Sequence, residues 1–187
     1  MSNRGRLFVL SGPSGVGKGT VWQEVVKRVD NVKVSVSATT RLPRNGDVEG
    51  VTYFFKSPEQ FDAMIKNGEL LEWAEYNSNR YGTPIWAVEE MLDDGVDVIL
   101  EIDTQGALQV KEKLPESVLI FIAPPSVEEL LSRLRGRATE SEEEIFRRIA
   151  AAEGELALQS EYDYVVVNDD LDTAVNEVEK IFLGKVL

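Results

Sequence analysis

The sequence predicts an α/β fold built on a mainly parallel sheet, and three observations carry that expectation. Leu7-Phe8-Val9-Leu10 is an unbroken apolar run that stops at a glycine-rich turn, the pattern of a strand buried on both faces. A helical pattern follows at once, from Gly19 to about Val29. Three later runs, Val96-Asp97-Val98-Ile99-Leu100, Val118-Leu119-Ile120-Phe121-Ile122 and Tyr164-Val165-Val166-Val167, repeat the order of strand then helix, which favours parallel pairing.

Helix boundaries are marked by their capping residues. Ser57-Pro58-Glu59-Gln60 and Ser126-Val127-Glu128-Glu129 read as capping boxes, and Thr83-Pro84 is expected to put proline at a first helical position. Gly68 and Gly95 read as helix stops. Between Val34 and Tyr81 the rhythm shifts to short alternating segments such as Val51-Thr52-Tyr53-Phe54-Phe55, so a small mixed β insertion is expected over about residues 34–83. The polar, charge-rich stretch from Arg135 to Glu144 lacks strong periodicity and reads as a lid over about 135–149. The remainder, 1–33, 84–134 and 150–187, forms the core of a single domain spanning 1–187.

Composition excludes whole classes of chemistry. Of 187 residues none is cysteine or histidine, so disulfides, thiolate nucleophiles, zinc clusters and imidazole catalysis are ruled out, and any metal must rest on oxygen ligands. The formal net charge of -13 argues against a nucleic-acid partner, whose phosphates are neutralised by Lys and Arg. Arg133, Arg135, Arg137, Arg147 and Arg148 nevertheless crowd one stretch, which suits a local anion site. No basic apolar leader is seen and no apolar run approaches the roughly 20 residues of a membrane helix, so a cytoplasmic location is expected.

The strongest local signal is Gly12-Pro13-Ser14-Gly15-Val16-Gly17-Lys18, a Gly-x-x-x-x-Gly-Lys loop placed after an apolar strand and before a helix. Glycines let backbone N–H groups converge on phosphate oxygens, the helix start adds partial positive charge, and Lys18 adds a full one. A nucleoside triphosphate is the implied ligand. Gly19 stands where Ser or Thr would supply a hydroxyl to Mg²⁺, and the hydroxyl arrives one position later, in Thr20. Magnesium is then expected to rest on phosphates, water and a nearby carboxylate, with no direct protein ligand assigned.

Such a loop leaves hydrolysis, switching and transfer open. A second anion site is suggested by Ser35-Val36-Ser37-Ala38-Thr39-Thr40-Arg41-Leu42-Pro43-Arg44, where two arginines stand among hydroxyls, with Tyr53 and Tyr81-Gly82-Thr83 downstream. Tyr53 reads equally as a half-buried strand aromatic, Glu72 as a solvated charge, and Arg147 and Arg148 as partners of Glu143 and Glu144 on a helix face. Glu101 and Asp103 close an apolar strand, where α/β proteins place ligand-facing groups.

Along nearly its whole length the chain resembles the guanylate kinases. The resemblance is carried by the phosphate loop, Ser35 to Arg44, Leu71-Glu72-Trp73-Ala74-Glu75-Tyr76, Tyr81-Gly82-Thr83, Glu101-Ile102-Asp103-Thr104-Gln105-Gly106, Ile122-Ala123-Pro124-Pro125-Ser126, Arg133 to Glu140, and Val167-Asn168-Asp169-Asp170-Leu171. It implies a P-loop nucleoside monophosphate kinase fold with a small mixed β GMP-binding lobe and a helical lid. By the same resemblance the chain transfers the γ-phosphoryl group of ATP directly to GMP, with Mg²⁺. Arg41, Arg44, Tyr53 and Tyr81 would grip the GMP phosphate, and Ser37, Glu72, Thr83 and Asp103 would read guanine, with Glu101 beside them. Gly12 to Thr20, Arg133, Arg137 and Asn168 would hold ATP, while Lys18, Arg41, Arg137 and Arg148 would stabilise the transferring group. Two positions depart from the family: Glu101 replaces the usual aspartate, and Ala138 stands where glycine commonly follows the lid arginine.

Overall fold

The computed structural model describes residues 4–135 and 142–185, with the side chains of 142–147 left out of the description. In chain order the elements are β1 (Leu7–Ser11), α1 (Lys18–Arg28), β2 (Val32–Val34), β3 (Ala38–Thr39), β4 (Phe54–Phe55), α2 (Pro58–Lys66), β5 (Leu70–Tyr76) and β6 (Asn79–Pro84). They continue with α3 (Ile85–Asp93), β7 (Asp97–Glu101), α4 (Thr104–Lys113), β8 (Val118–Ala123), α5 (Val127–Arg135), α6 (Glu142–Leu156), β9 (Tyr164–Val167) and α7 (Leu171–Phe182).

A five-stranded sheet in the order β2-β7-β1-β8-β9 is parallel throughout, as the apolar runs predict. All five residues of central β1 are buried, since helices cover both faces. Phe8, Leu10, Ile99, Ile120 and Ile122 face the cluster completed by Val21 and Val25 of α1 and Val175, Val178 and Phe182 of α7. Leu7, Val9, Val98, Leu100, Leu119 and Phe121 face the other way, onto Val88, Ala107, Val110 and Tyr162. The alternation is the period-two rule of a strand with a core on each side.

The second sheet is mixed, in the order β4-β3-β6-β5, and has its own small core of Ala38, Phe61, Met64 and Leu70. Pairing between β5 and β6 slips once. Leu70 stands opposite Pro84 and Trp73 opposite Gly82, so β5 spends three steps where β6 spends two, and Leu71 and Glu72 fall in the resulting bulge. Leu71 then packs into the main core while Leu70 packs into the small one. Lys113 Nζ donates to Leu70 O at 2.8 Å, and Gln109 Oε1 accepts from the Trp73 amide at 3.3 Å, fastening α4 to this strand.

The capping expectations are met with small differences. Ser57 Oγ accepts from the Gln60 amide and Gln60 Oε1 from the Ser57 amide, a complete box. Ser126 Oγ accepts from the Glu129 amide, but the Glu129 carboxylate is engaged by Arg133 Nε at 2.9 Å. Gly68 and Gly95 both follow their helices with positive φ. Pro84 is the cap of α3 and not its first residue, because the Ile85 amide still bonds Glu69 O and keeps the chain extended through the proline. β7 begins one residue later than its apolar run, since the Val96 amide turns back to Met91 O. β2 was not anticipated: three residues at the sheet edge are too short to register as a run.

Candidate active site

The glycine loop lies at the C-terminal end of β1, between β7 and β8, where ligands of open parallel sheets bind. Its shape is enforced by lack of room. A Cβ on Gly12 would lie 2.2 Å from the Ile122 carbonyl oxygen, and one on Gly17 would lie 2.7 Å from Asn168 Nδ2. Both residues also hold positive φ, 135° and 95°, which side chains disfavour. Gly17 caps α1 without any side-chain acceptor, and no acidic residue occupies the first turn, so the opening N–H groups of the helix stay available to an anion.

Lys18 begins that helix and folds across the loop, its Nζ donating to Gly12 O at 2.6 Å and Pro13 O at 3.1 Å. Burial lowers its pKa, and the charges of Glu101, Glu155 and Asp103 work against the fall. Asn168 is buried and ties the far side of the loop down, donating from Nδ2 to Val16 O at 2.8 Å. Gly15, Val16, Gly17, Thr20, Arg133 and Asn168 line a hollow of about 240 Å³ next to the loop. Arg133 frames this hollow, bonding Asn168 O at 2.9 Å as well as Glu129. Pro13 is buried, Ser14 is exposed at the loop tip, and Gly19 adjoins Glu101, whose carboxylate oxygens would lie 3.6 and 3.7 Å from an added Cβ.

A larger cleft of about 430 Å³ opens between the two sheets. Ser37, Tyr53, Glu72, Tyr81, Glu101 and Asp103 line it, bringing together six of the nine residues assigned to the acceptor. Thr83 joins through its hydroxyl, which donates to Glu72 Oε1 at 2.6 Å across the β5–β6 hairpin. Glu72 is 5% exposed, and burial raises its pKa to about 7, helped by the charge of Asp103 and opposed by the Thr83 hydrogen bond. The reading of Glu72 as a solvated surface charge is therefore wrong.

Asp103 has a structural duty too. It is the N-cap of α4, accepting from the Gly106 amide at 2.7 Å. Glu101 Oε2 accepts from Trp22 Nε1, and Trp22 also packs, partly buried, against the core around β1 and α1.

Arg41 stands beside the cleft, against the lining residue Tyr53. The Arg41 guanidinium lies 5.2 Å from the Tyr53 ring centroid, and Tyr53 meets Tyr81 edge to face at 5.9 Å. Arg44 is exposed and lies outside the cleft lining. Sequence reasoning missed Asp47, whose Oδ2 pairs with Arg41 Nη2 at 2.9 Å. The signal was present as Asn45-Gly46-Asp47, a turn tripeptide directly after the second arginine. Arg148 sits half-buried on α6. Arg137 and Ala138 lie outside the described residues, as do the side chains of Glu143, Glu144 and Arg147.

A phosphate loop adjoining a cleft lined by a buried carboxylate and two phenols, with a guanidinium against one of the phenols, suits two nucleotides. The guanylate kinase family model matches residues 4–184. A guanylate kinase of Halalkalibacterium halodurans is 57% identical over 178 residues, covering 95% of this chain and 87% of the relative. One from Desulfitobacterium hafniense is 54% identical over 183 residues, covering 98% and 92%. Among solved structures, guanylate kinase from Anaplasma phagocytophilum superposes with a TM-score of 0.75 at 36% identity, covering 98% of this chain and 87% of that one. On these matches, and with the site they share a chain with, the protein belongs to the guanylate kinase family.

Proposed function

We propose that this chain transfers the γ-phosphoryl group of ATP to the phosphate of GMP, giving ADP and GDP, by direct in-line attack. The observation that carries the reading is the buried Glu72 carboxylate opening onto the cleft beside the phosphate loop. Guanine presents its N1–H and N2–H₂ as adjacent donors, which a carboxylate accepts; adenine has no such pair and would leave the desolvated Glu72 with Thr83 but no donor from the base. Thr83 holds Glu72 Oε1, and Ser37 and Asp103 stand on the same walls to meet the rest of the base.

At the other end, Arg41, Arg44, Tyr53 and Tyr81 receive the GMP phosphate. Lys18 moves from the loop carbonyls to the transferring group, whose charge it offsets together with the α1 N–H groups, Arg137 and Arg148. No side-chain nucleophile is needed, because the acceptor phosphate oxygen attacks. Gly12 to Thr20 hold the triphosphate, and adenine sits in the hollow walled by Asn168 and Arg133. Residues of about 34–83 act as the acceptor lobe and about 135–149 as a lid, and their closure excludes water that would otherwise take the phosphoryl group.

Magnesium fits this arrangement in one way only. Among the described residues no three carboxylates gather into a metal cage. Glu101 and Asp103 nevertheless stand at the cleft near Lys18, and one or two carboxylates with phosphates and water satisfy an ion that gives up its water reluctantly. Bound there, it would neutralise charge on the two nucleotides. The net charge of -13 speaks against a nucleic-acid substrate, and a cytoplasmic location suits the choice of substrates. Among the described residues no helix is long and apolar enough to cross a membrane.

The test is a coupled assay of ADP formation from ATP with a panel of nucleoside monophosphates. GMP is expected to be the preferred acceptor, with no ADP formed in its absence; faster turnover of AMP, or ATP consumption without any acceptor, would overturn the assignment.

A further inference from the structure

We infer that Asp47 is a positioning residue, holding the Arg41 guanidinium in the attitude that receives the acceptor's phosphate. The inference rests on the reading that this lobe seats that phosphate. A carboxylate between two phosphate-binding arginines looks self-defeating, because its charge opposes the ligand's. Its geometry resolves the conflict.

Asp47 is fixed from the backbone side. Its amide donates to Arg44 O at 3.0 Å and its Oδ2 accepts from the Arg44 amide at 2.7 Å, closing the turn that carries the second arginine. The same Oδ2 takes Arg41 Nη2 at 2.9 Å, and both side chains are only 12% exposed. The Arg44 amide above all, with Arg41 in support, holds the carboxyl below its ordinary range, so it remains charged throughout the neutral region. A carboxylate so tied cannot swing away without opening the turn, and it therefore serves as a fixed post and not as a displaceable stand-in for phosphate.

Arg41 is braced on other sides as well. Nη1 donates to Leu42 O at 3.0 Å, and the rings of Tyr53 and Phe55 lie 5.2 and 5.9 Å from its guanidinium carbon. A guanidinium has five N–H donors. Asp47 and Leu42 each take one, which leaves three for a phosphate, already ordered before it arrives. Long arginine side chains otherwise lose rotamer freedom on binding, and prior ordering lowers that cost.

The experiment compares Asp47→Asn, Asp47→Glu, Arg41→Ala and the double variant D47N/R41A with the wild type, measuring kcat and KM for each substrate and GMP binding by calorimetry. Asn keeps an oxygen for the Arg44 amide, so the turn and the unfolding midpoint are expected to hold while the ionic grip on Arg41 is lost. For D47N the expected result is about a tenfold rise in KM and Kd for GMP, the scale of one charge-assisted contact, with KM for ATP unchanged. D47E is expected to recover most of the loss, and D47N to add nothing in the R41A background.

A lower KM for GMP in D47N would identify Asp47 as a competitor of the phosphate and overturn the proposal. An equal penalty with and without Arg41, or a rise in both KM values with a fallen unfolding midpoint, would overturn it as well. If the wild type itself fails to turn over GMP, the parent reading falls and takes this one with it, an outcome distinct from an indifferent D47N.

Discussion

The two halves of the site are made from different materials. The donor half is backbone: a loop whose glycines cannot accept a Cβ, a helix start without a capping side chain, and one lysine laid across it. The acceptor half is side chain: a carboxylate buried in a bulge, a hydroxyl reaching across a hairpin, and a guanidinium braced by an aspartate and two aromatic rings. Backbone amides recognise phosphate in any nucleotide, whereas placed side chains discriminate among bases. The contrast separates generic affinity from choice of substrate, and substitutions in the two halves should fail differently.

The sharpest break is expected at Lys18. Lys18→Ala should lower kcat by about 10³-fold, the scale of removing one charge-stabilising donor, with the GMP-to-AMP preference intact. A changed preference would show that the donor half also reads the base. Gly12→Ala should act on the fold, since its Cβ would overlap the Ile122 carbonyl oxygen at positive φ. Chemical denaturation is expected to show a loss of about 1–3 kcal/mol or more.

In the acceptor half, Glu72→Gln should leave ATP binding unchanged while reducing the GMP-over-AMP ratio by about 10²-fold, because an amide presents donors to guanine's donors. The pH profile sharpens the same point. If guanine's donors are taken by Glu72, as proposed, the carboxylate must be ionised; burial has raised it to about 7, so KM for GMP should fall as pH rises through that value, and E72Q should be flat. Stability runs the opposite way. The folded state holds this proton more tightly than the unfolded chain, whose carboxyl sits near 4.5, so the contribution is complete in acid and is lost as pH climbs from there towards about 7. Thermal unfolding of wild type and E72Q across that window checks the sign. Smallest of all, Tyr53→Phe should raise KM for GMP about two- to tenfold, the scale of a single hydrogen bond.

The same contrast explains what could be read from the sequence. The phosphate loop was legible because a site made of backbone demands glycine at set intervals, and Gly12 and Gly17 have no room for anything else. The central strands were legible because burial on both faces demands unbroken apolar runs. The pairing of Thr83 with Glu72 was not, because it depends on a register that slips between Leu70 and Trp73, and nothing in Leu71-Glu72 announces a bulge. Asp47 showed itself only as a turn residue, and its hold on Arg41 emerges once the loop folds back. Asp103 was legible only as a ligand-facing residue at a strand end, and its place as the cap of α4 emerges from the structure.

The bulge in β5 has a mechanical meaning. It sends Leu71 into the large core and leaves Leu70 in the small one, while Gln109 and Lys113 pin the strand to α4. Glu72 is thereby fastened where the second sheet meets the main core, whereas Arg41 and Asp47 stand on the loop after β3. On the proposed reading, movement of that loop would change the span between the two, and a mononucleotide touching both would act as a gauge block: the gap would close to the length of the molecule laid in it.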